Sequence, residues 1–212
     1  MARPETDIDA GREKLIQIAE TLIRERGAIS FTITDLAVEA GMSQSNVYRF
    51  FENKDALAEA MAGRWFAELI TIIENLVQEN MPARQKLYEF FARRLIIKRA
   101  RFNEDPDLFR SYMELGHQHF EVVRGYVDLT DHYMAIILAE AMEEGYFQGL
   151  ELDHIVSLVN TMVQPFCNPS LMMDMMHLAD EKRLQEVIDT ILTGLKAREK
   201  VPPMKAALHI AS

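Results

Sequence analysis

Between Thr32 and Lys54 the chain collects side chains suited to binding a polyanion and reading an edge. They are the hydroxyls of Thr32, Thr34, Ser43 and Ser45, the amides of Gln44 and Asn46, the phenol of Tyr48, and the cations Arg49 and Lys54. Hydroxyls, amides and backbone N–H groups hold phosphate oxygens, while amides and guanidinium groups can pair with base edges. Such groups act only if a scaffold presents them together. The spacing supplies one. Thr32 with Asp35 three residues on reads as a capping box, and Leu36 and Ala37 form the buried side of the helix it opens. Gly41 permits the left-handed residue of a tight reversal. Ser43 then caps a second helix, along which Val47, Phe50 and Phe51 fall at i, i+3 and i+4 and share an inward face. Gln44, Ser45, Asn46, Tyr48 and Arg49 point the other way. Asn53 caps a third, longer helix, so the polar helix is held between packed neighbours, the geometry of a helix-turn-helix.

The segment from Phe31 to Leu57 resembles the DNA-binding domain of the tetracycline-repressor (TetR) family. The residues that carry the likeness are Thr32, Leu36, Ala37, Ala40, Gly41, Met42, Ser43, Val47, Tyr48, Phe51, Asn53, Lys54, Asp55 and Leu57. Phe50 stands where the family pattern has His or Tyr, which keeps the packing and removes a polar end. The resemblance covers residues 10–60 densely and the remainder by architecture alone. It implies that Thr32, Ser43, Tyr48 and Lys54 contact phosphates, that Gln44, Ser45, Asn46 and Arg49 face bases, and that Thr34 lies on the same DNA-facing surface. It also implies a homodimer on a palindromic operator, released by a small molecule.

Charge runs against a simple electrostatic version of this reading. The net charge is −10, and residues 1–60 hold seven Lys/Arg against eleven Asp/Glu. Placement answers the difficulty: Arg49 is the only charged residue in the polar helix, so hydroxyls, amides and helix N-termini must do most of the phosphate binding. Modest affinity for random DNA follows, because an acidic remainder repels it.

The rest of the chain predicts an all-α protein: an N-terminal three-helix domain joined to a larger helical bundle. Hydrophobic residues make up 49% of 212 positions while Gly and Pro are few, which favours helices over a sandwich or α/β fold. The expected divisions are a flexible arm at 1–9, the helix-turn-helix domain at 10–60, a ligand-binding and dimerisation domain at 61–199, and a flexible tail at 200–212. Arg3 in the arm could reach a minor groove, against the plainer reading of a disordered tip. Leu15, Ile18, Ala19, Leu22 and Ile23 mark a bracing helix stopped by Gly27. The helix from Lys54 runs to about Leu76 and crosses the domain junction. Ala83–Arg101 is amphipathic with a basic face of Arg93, Arg94, Lys98, Arg99 and Arg101, read as solvated or ion-pairing. Asp105-Pro106 opens a short helix closed by Gly116, followed by helices over Phe120–Glu144, Leu152–Phe166 and Asp180–Arg198.

No apolar run of membrane-spanning length and no targeting segment is present, so a cytoplasmic location is expected. The single cysteine, Cys167, excludes an intrachain disulfide. By resemblance Val156, Val159, Met162, Val163, Leu184, Val187, Ile188, Ile191, Leu192 and Leu195 meet their copies in a dimer; packing within the protomer is the alternative. Candidates for a cavity accepting an apolar or aromatic effector are Trp65, Phe66, Phe90, Phe91, Phe109, Tyr112, Met113, Tyr126, Tyr133, Met134, Met162 and Phe166, each of which core packing would also explain. His117 and His119, with Glu114, Glu121, His132 and Cys167, could be drawn to a metal, but their spacing repeats no metal motif and helix-end or core histidines are the simpler account. Met172, Met173, Met175, Met176 and His177 suggest soft-metal ligation, yet 172, 173 and 176 form one buried stripe. No cofactor, phosphate loop or catalytic triad is indicated. Two other classes stand beside the regulator: a helical ligand-binding or protein-interaction module with a vestigial helix-turn-helix, and an enzyme or metal protein using His117, His119 and Cys167.

Overall fold

The structure, a computed structural model, describes residues 7–26 and 31–195. The segments expected around Arg3, Gly27 and residues 200–212 lie outside the described residues, apart from the end of the arm. There α1 (Ile8–Arg26) begins, with Asp7 Oδ1 accepting a bond from Ala10 N–H at 3.0 Å. All described elements are helical: α2 (Ile33–Glu39), α3 (Gln44–Val47), α4 (Lys54–Gln78), α5 (Ala83–Glu104), α6 (Pro106–Gln118), α7 (Phe120–Glu143), α8 (Leu152–Met162), α9 (Gln164–Cys167), α10 (Pro169–Asp174) and α11 (Glu181–Gly194).

The caps read from the sequence form as hydrogen bonds. Thr32 accepts from Asp35 N–H while Asp35 accepts from Thr32 N–H, closing the capping box. Ser43 accepts from Asn46 N–H, Asn53 from Ala56 N–H and Asp105 from Leu108 N–H. Gly41 takes φ +65° between α2 and α3, a conformation other residues enter only with strain. These bonds satisfy donors that helix starts leave open, which is why such short helices persist here.

Two hydrophobic clusters organise the molecule. The first joins Leu15, Ala19, Leu22 and Ile23 of α1 with Phe31, Leu36, Val47, Phe51 and the opening turns of α4. The second is built from the far half of α4 with α5, α7, α8 and α11. Helix α4, 25 residues and so about 37 Å long at 1.5 Å per residue, contributes Leu57, Ala58 and Met61 to the first and Ile73, Leu76 and Val77 to the second. Helix α6 is divided too, with Phe109 in the second cluster and Tyr112 and Leu115 in the first.

Two expectations require correction. Gly116 does not end a helix: α6 continues to Gln118, because glycine weakens a helix without breaking it when neighbours pack on both sides. The stretch Leu152–Phe166 is not one helix. It breaks at Val163, since Pro165 has no N–H to continue the ladder, and a short α9 follows. Asn168 then starts α10 by accepting from Ser170 and Leu171 N–H. Of the two readings of the basic face of α5, ion pairing holds for Arg93 and Arg101, which meet Glu79, Glu89 and Glu68, while Lys98 is buried.

Candidate functional site: an exposed polar helix coupled to a buried cavity

The α3 surface is held from behind by apolar packing. Val47, Phe50 and Phe51 are buried, and Arg12 of α1 donates from Nη1 to Phe50 O at 2.7 Å while its guanidinium lies 4.5 Å from the Phe51 ring centroid. Gly11 faces Phe50 so closely that an added Cβ would lie 2.2 Å from the ring. The turn after α3 is thereby clamped to α1.

In front, Thr32, Thr34, Ser43, Gln44, Ser45, Tyr48, Arg49 and Lys54 are exposed and Asn46 is half-buried. They differ in how free their polar ends are. Thr32 donates both its N–H and its hydroxyl to Asp35, each at 2.7 Å, so it serves the cap first. Those bonds, with Arg26 3.1 Å from the same carboxylate, hold Asp35 down at about 2. Gln44 donates to the Thr34 hydroxyl, Ser43 and Ser45 share a bond at 3.0 Å, and Arg49 reaches Asn46 Oδ1 at 3.4 Å. The Tyr48 phenol and the Lys54 ammonium have no hydrogen-bond partner among the described residues; the ammonium lies 5.9 Å from the centroid of the Phe31 ring.

A cavity of about 290 Å³ opens between α4, α5, α6, α7 and the α9–α10 turn. Of the expected lining residues, Trp65, Phe66, Phe109, Tyr112 and Met113 meet there. Trp65 stacks on Tyr112 at 4.2 Å and meets Phe109 edge-on at 5.6 Å. The others lie elsewhere. Phe90, Phe91, Met134 and Phe166 are core residues, Tyr126 stacks behind Phe66, the Tyr133 phenol donates to Glu74, and Met162 is exposed on α8. The sequence reading overlooked Arg94 and Lys98, which enter the wall from α5, and Phe120, Val123 and Val127 from α7. The i, i+4 spacing of Arg94 and Lys98 was a usable signal. The burial of Lys98 was not, since it depends on the α9 turn folding over it. Lys98 donates to Phe166 O at 3.2 Å and Cys167 O at 2.7 Å, and burial lowers its pKa from the ordinary 10.5 to about 8.

His117 and Cys167 both border this cavity, while His119 points away to Asp55 at 3.0 Å. Glu114 accepts from Gln118, Glu121 pairs with Arg124, and His132 stands beside the Tyr133 ring. Met172 is buried, and Met173, Met175 and Met176 are half-buried around it. Among the described residues no group of three His, Cys, Asp or Glu side chains converges in a metal-holding arrangement.

Cavity and DNA-facing unit share walls. Tyr112 turns its ring to the cavity and its hydroxyl to Glu20 of α1 at 2.6 Å; burial first, and then the Glu20 carboxylate, push that phenol far above its usual value. Asp105 at the start of α6 pairs with Arg24 of α1 at 2.6 Å. Arg64 of α4 pairs with Glu13 at 2.8 Å, and His119 contacts Asp55 in the first turn of α4.

Comparison with known proteins matches residues 15–61 to the bacterial regulatory proteins of the tetR family and residues 83–188 to the tetracyclin repressor-like C-terminal domain. The chain belongs to the TetR family. It is a DNA-binding transcriptional regulator with an all-α, two-domain architecture. Similar proteins include an uncharacterized HTH-type transcriptional regulator in the dhlA 5′ region of Xanthobacter autotrophicus, 27% identical over 74% of this chain and 78% of that one. The fatty acid metabolism regulator protein of Bacillus subtilis is 23% identical over 66% of this chain and 72% of its own. Among solved structures, SmeT, repressor of the Stenotrophomonas maltophilia multidrug efflux pump SmeDEF, shares the fold with a TM-score of 0.65 at 20% identity, over 86% of this TetR-family chain and 89% of SmeT. Thermus thermophilus FadR in complex with lauroyl-CoA gives 0.55 at 18% identity, over 92% and 100%. No described helix is long and apolar enough to cross a membrane.

Proposed function

We propose that this regulator is a homodimeric repressor that binds a palindromic operator in the cytoplasm and releases it when a small apolar molecule occupies the α4–α7 cavity. The observation that carries the reading is the double membership of α6. Its Phe109, Tyr112, Met113 and Gly116 wall the cavity, while Tyr112 and Leu115 are packed into the core of the helix-turn-helix unit. An occupant that displaces α6 therefore acts on α1 through Glu20 and Arg24, and on the start of α4 through Asp55. Both helices support α3. The effector must prefer the displaced arrangement, and a coupling of ~1–3 kcal/mol would weaken operator binding roughly 5–150-fold.

On the DNA side, Gln44, Ser45, Asn46 and Arg49 read bases, and Thr32, Thr34, Ser43, Tyr48 and Lys54 hold the backbone. One such short helix covers few base pairs, so discrimination needs a second copy about 34 Å away on a symmetric site. Val159, Val163, Leu184, Ile188, Ile191 and Leu192 are buried within the protomer, but exposed Met162 of α8 and Thr190 of α11, with half-buried Val187, border one shallow groove, which supports these helices as the face that meets the second protomer. For the effector, the similarity to a fatty acid metabolism regulator and to a repressor crystallised with lauroyl-CoA supports an occupant with an aliphatic portion.

Selection of bound sequences from a random duplex pool, followed by gel-shift titration at two salt concentrations, tests the proposal. A palindromic consensus bound by two protomers is the expected result. Failure of the folded, ligand-free protein to enrich any sequence would overturn it.

A further inference from the structure

We infer that the cavity accepts an amphipathic anion, a free carboxylic acid on an apolar body, with Arg94 and Lys98 holding the carboxylate. The inference rests on the cavity being the effector site and names the chemistry of its occupant. Helix α5 carries seven cations, and four of them face carboxylates. Arg84 meets Asp189 at 2.6 Å, Lys86 meets Glu140 at 2.7 Å, Arg93 meets Glu79 at 2.9 Å, and Arg101 meets Glu68 at 2.8 Å. Arg99 donates to Ala179 O. Arg94 and Lys98, one helical turn apart, face no acidic partner among the described residues, and these two border the cavity. Among the described residues no Asp or Glu lines it, although the chain as a whole is at −10.

Lys98, only 5% exposed, spends two of its three N–H donors on Phe166 O and Cys167 O and keeps one for a ligand. The Arg94 guanidinium lies 5.0 Å from the Phe90 ring centroid, and its donors have no hydrogen-bond partner among the described residues. A buried cation without a counterion, as Lys98 is among the described residues, is costly, and an entering carboxylate would relieve that cost through charge-assisted bonds. Trp65, Phe66, Leu69 and Val123 offer apolar surface to the body of the ligand, while His117, Asn168 and Ser170 add polar groups to the wall. Exposed Phe120 and Val127 place the open side at α7. A volume of about 290 Å³ is at the small end of ligand sites, which favours a free acid over a thioester with a nucleotide head.

Trp65 is the single tryptophan and forms part of the cavity wall, so its emission reports occupancy directly. The full chain is titrated with decanoate, 1-decanol, decylamine and decanoyl-CoA. Decanoate is expected to bind at least tenfold more tightly than the alcohol or the amine. Lys98→Met should bring decanoate to the level of decanol, and Arg94→Gln, which disturbs no internal hydrogen bond, should weaken decanoate several-fold while leaving decanol unchanged. Operator binding by each variant verifies its fold. Equal or tighter binding of decanol, or tighter binding of decanoyl-CoA, overturns the free-acid assignment alone. Silence of Trp65 toward all four compounds overturns the effector-cavity reading beneath it.

Discussion

Arg49 and Lys54 stand in solvent around a short helix whose one buried residue is Val47, whereas Lys98 and Arg94 are set into the wall of an apolar cavity with no carboxylate opposite them. The first region presents charge cheaply and relies on a partner of opposite sign arriving from solvent. The second has already desolvated the Lys98 ammonium, and electrostatic interactions strengthen as a group leaves water. One region is suited to reading a surface reversibly, the other to selecting a small molecule by the charge it carries. Helix α6 packs against both.

The largest effect expected from breaking this division is at Phe51, 1% exposed in the N-terminal cluster. Phe51→Ala should cost about 3–5 kcal/mol. Operator binding should vanish in gel shifts while cavity ligands still alter Trp65 emission; loss of both would show that the two regions do not fold semi-independently. Tyr112→Phe removes the bond to Glu20 and should lower stability by about 1.5–3 kcal/mol in a denaturant melt. The more telling readout is operator affinity with and without a saturating cavity ligand, because the ratio should fall toward one. An unchanged ratio would move the coupling route away from α6.

Next in size, Arg49→Ala and Asn46→Ala should each relax discrimination at particular base pairs by about 1–3 kcal/mol, measured on single-substitution operators. Tyr48→Ala and Lys54→Ala should instead weaken all sequences alike, with Lys54→Ala reducing the salt slope by about 1. Equal losses on operator and random DNA for all four would sink that assignment of roles. Asn53→Ala, which strips the cap from α4, should cost about 1 kcal/mol. The smallest effect concerns Asp35. Its carboxyl is held at about 2 against an ordinary 3.8, so the stability it adds is present above 3.8 and is lost as pH falls through that interval. Thermal midpoints between pH 4 and 2 should therefore decline less steeply in Asp35→Asn than in the parent chain.

How much was legible beforehand follows the same division. The caps at Thr32, Ser43, Asn53 and Asp105 each join residues three apart, so spacing sufficed to place them. The break at Val163 was also local, yet was missed because the apolar stripe ran on through Pro165. Gly116 misled in the opposite sense, since its effect on a helix depends on what packs around it. The cavity list mixed wall with core because large apolar side chains look alike in sequence: Phe109 lines the cavity, whereas Phe90 and Phe91 are sealed beneath it.

The sequence by itself determined the helical class, the capped helix-turn-helix, the outward set from Gln44 to Arg49 and the spanning helix from Lys54. Those features rest on interactions within one or two turns, where periodicity and cap chemistry are sufficient causes. Tertiary structure decided which aromatic residues surround a void, that Lys98 is buried beneath the α9 turn, and that α6 serves both domains. Each of these joins residues tens of positions apart, as Tyr112 with Glu20 and Lys98 with Cys167 do. No local spacing encodes such meetings; they follow from how the packed helices close on one another.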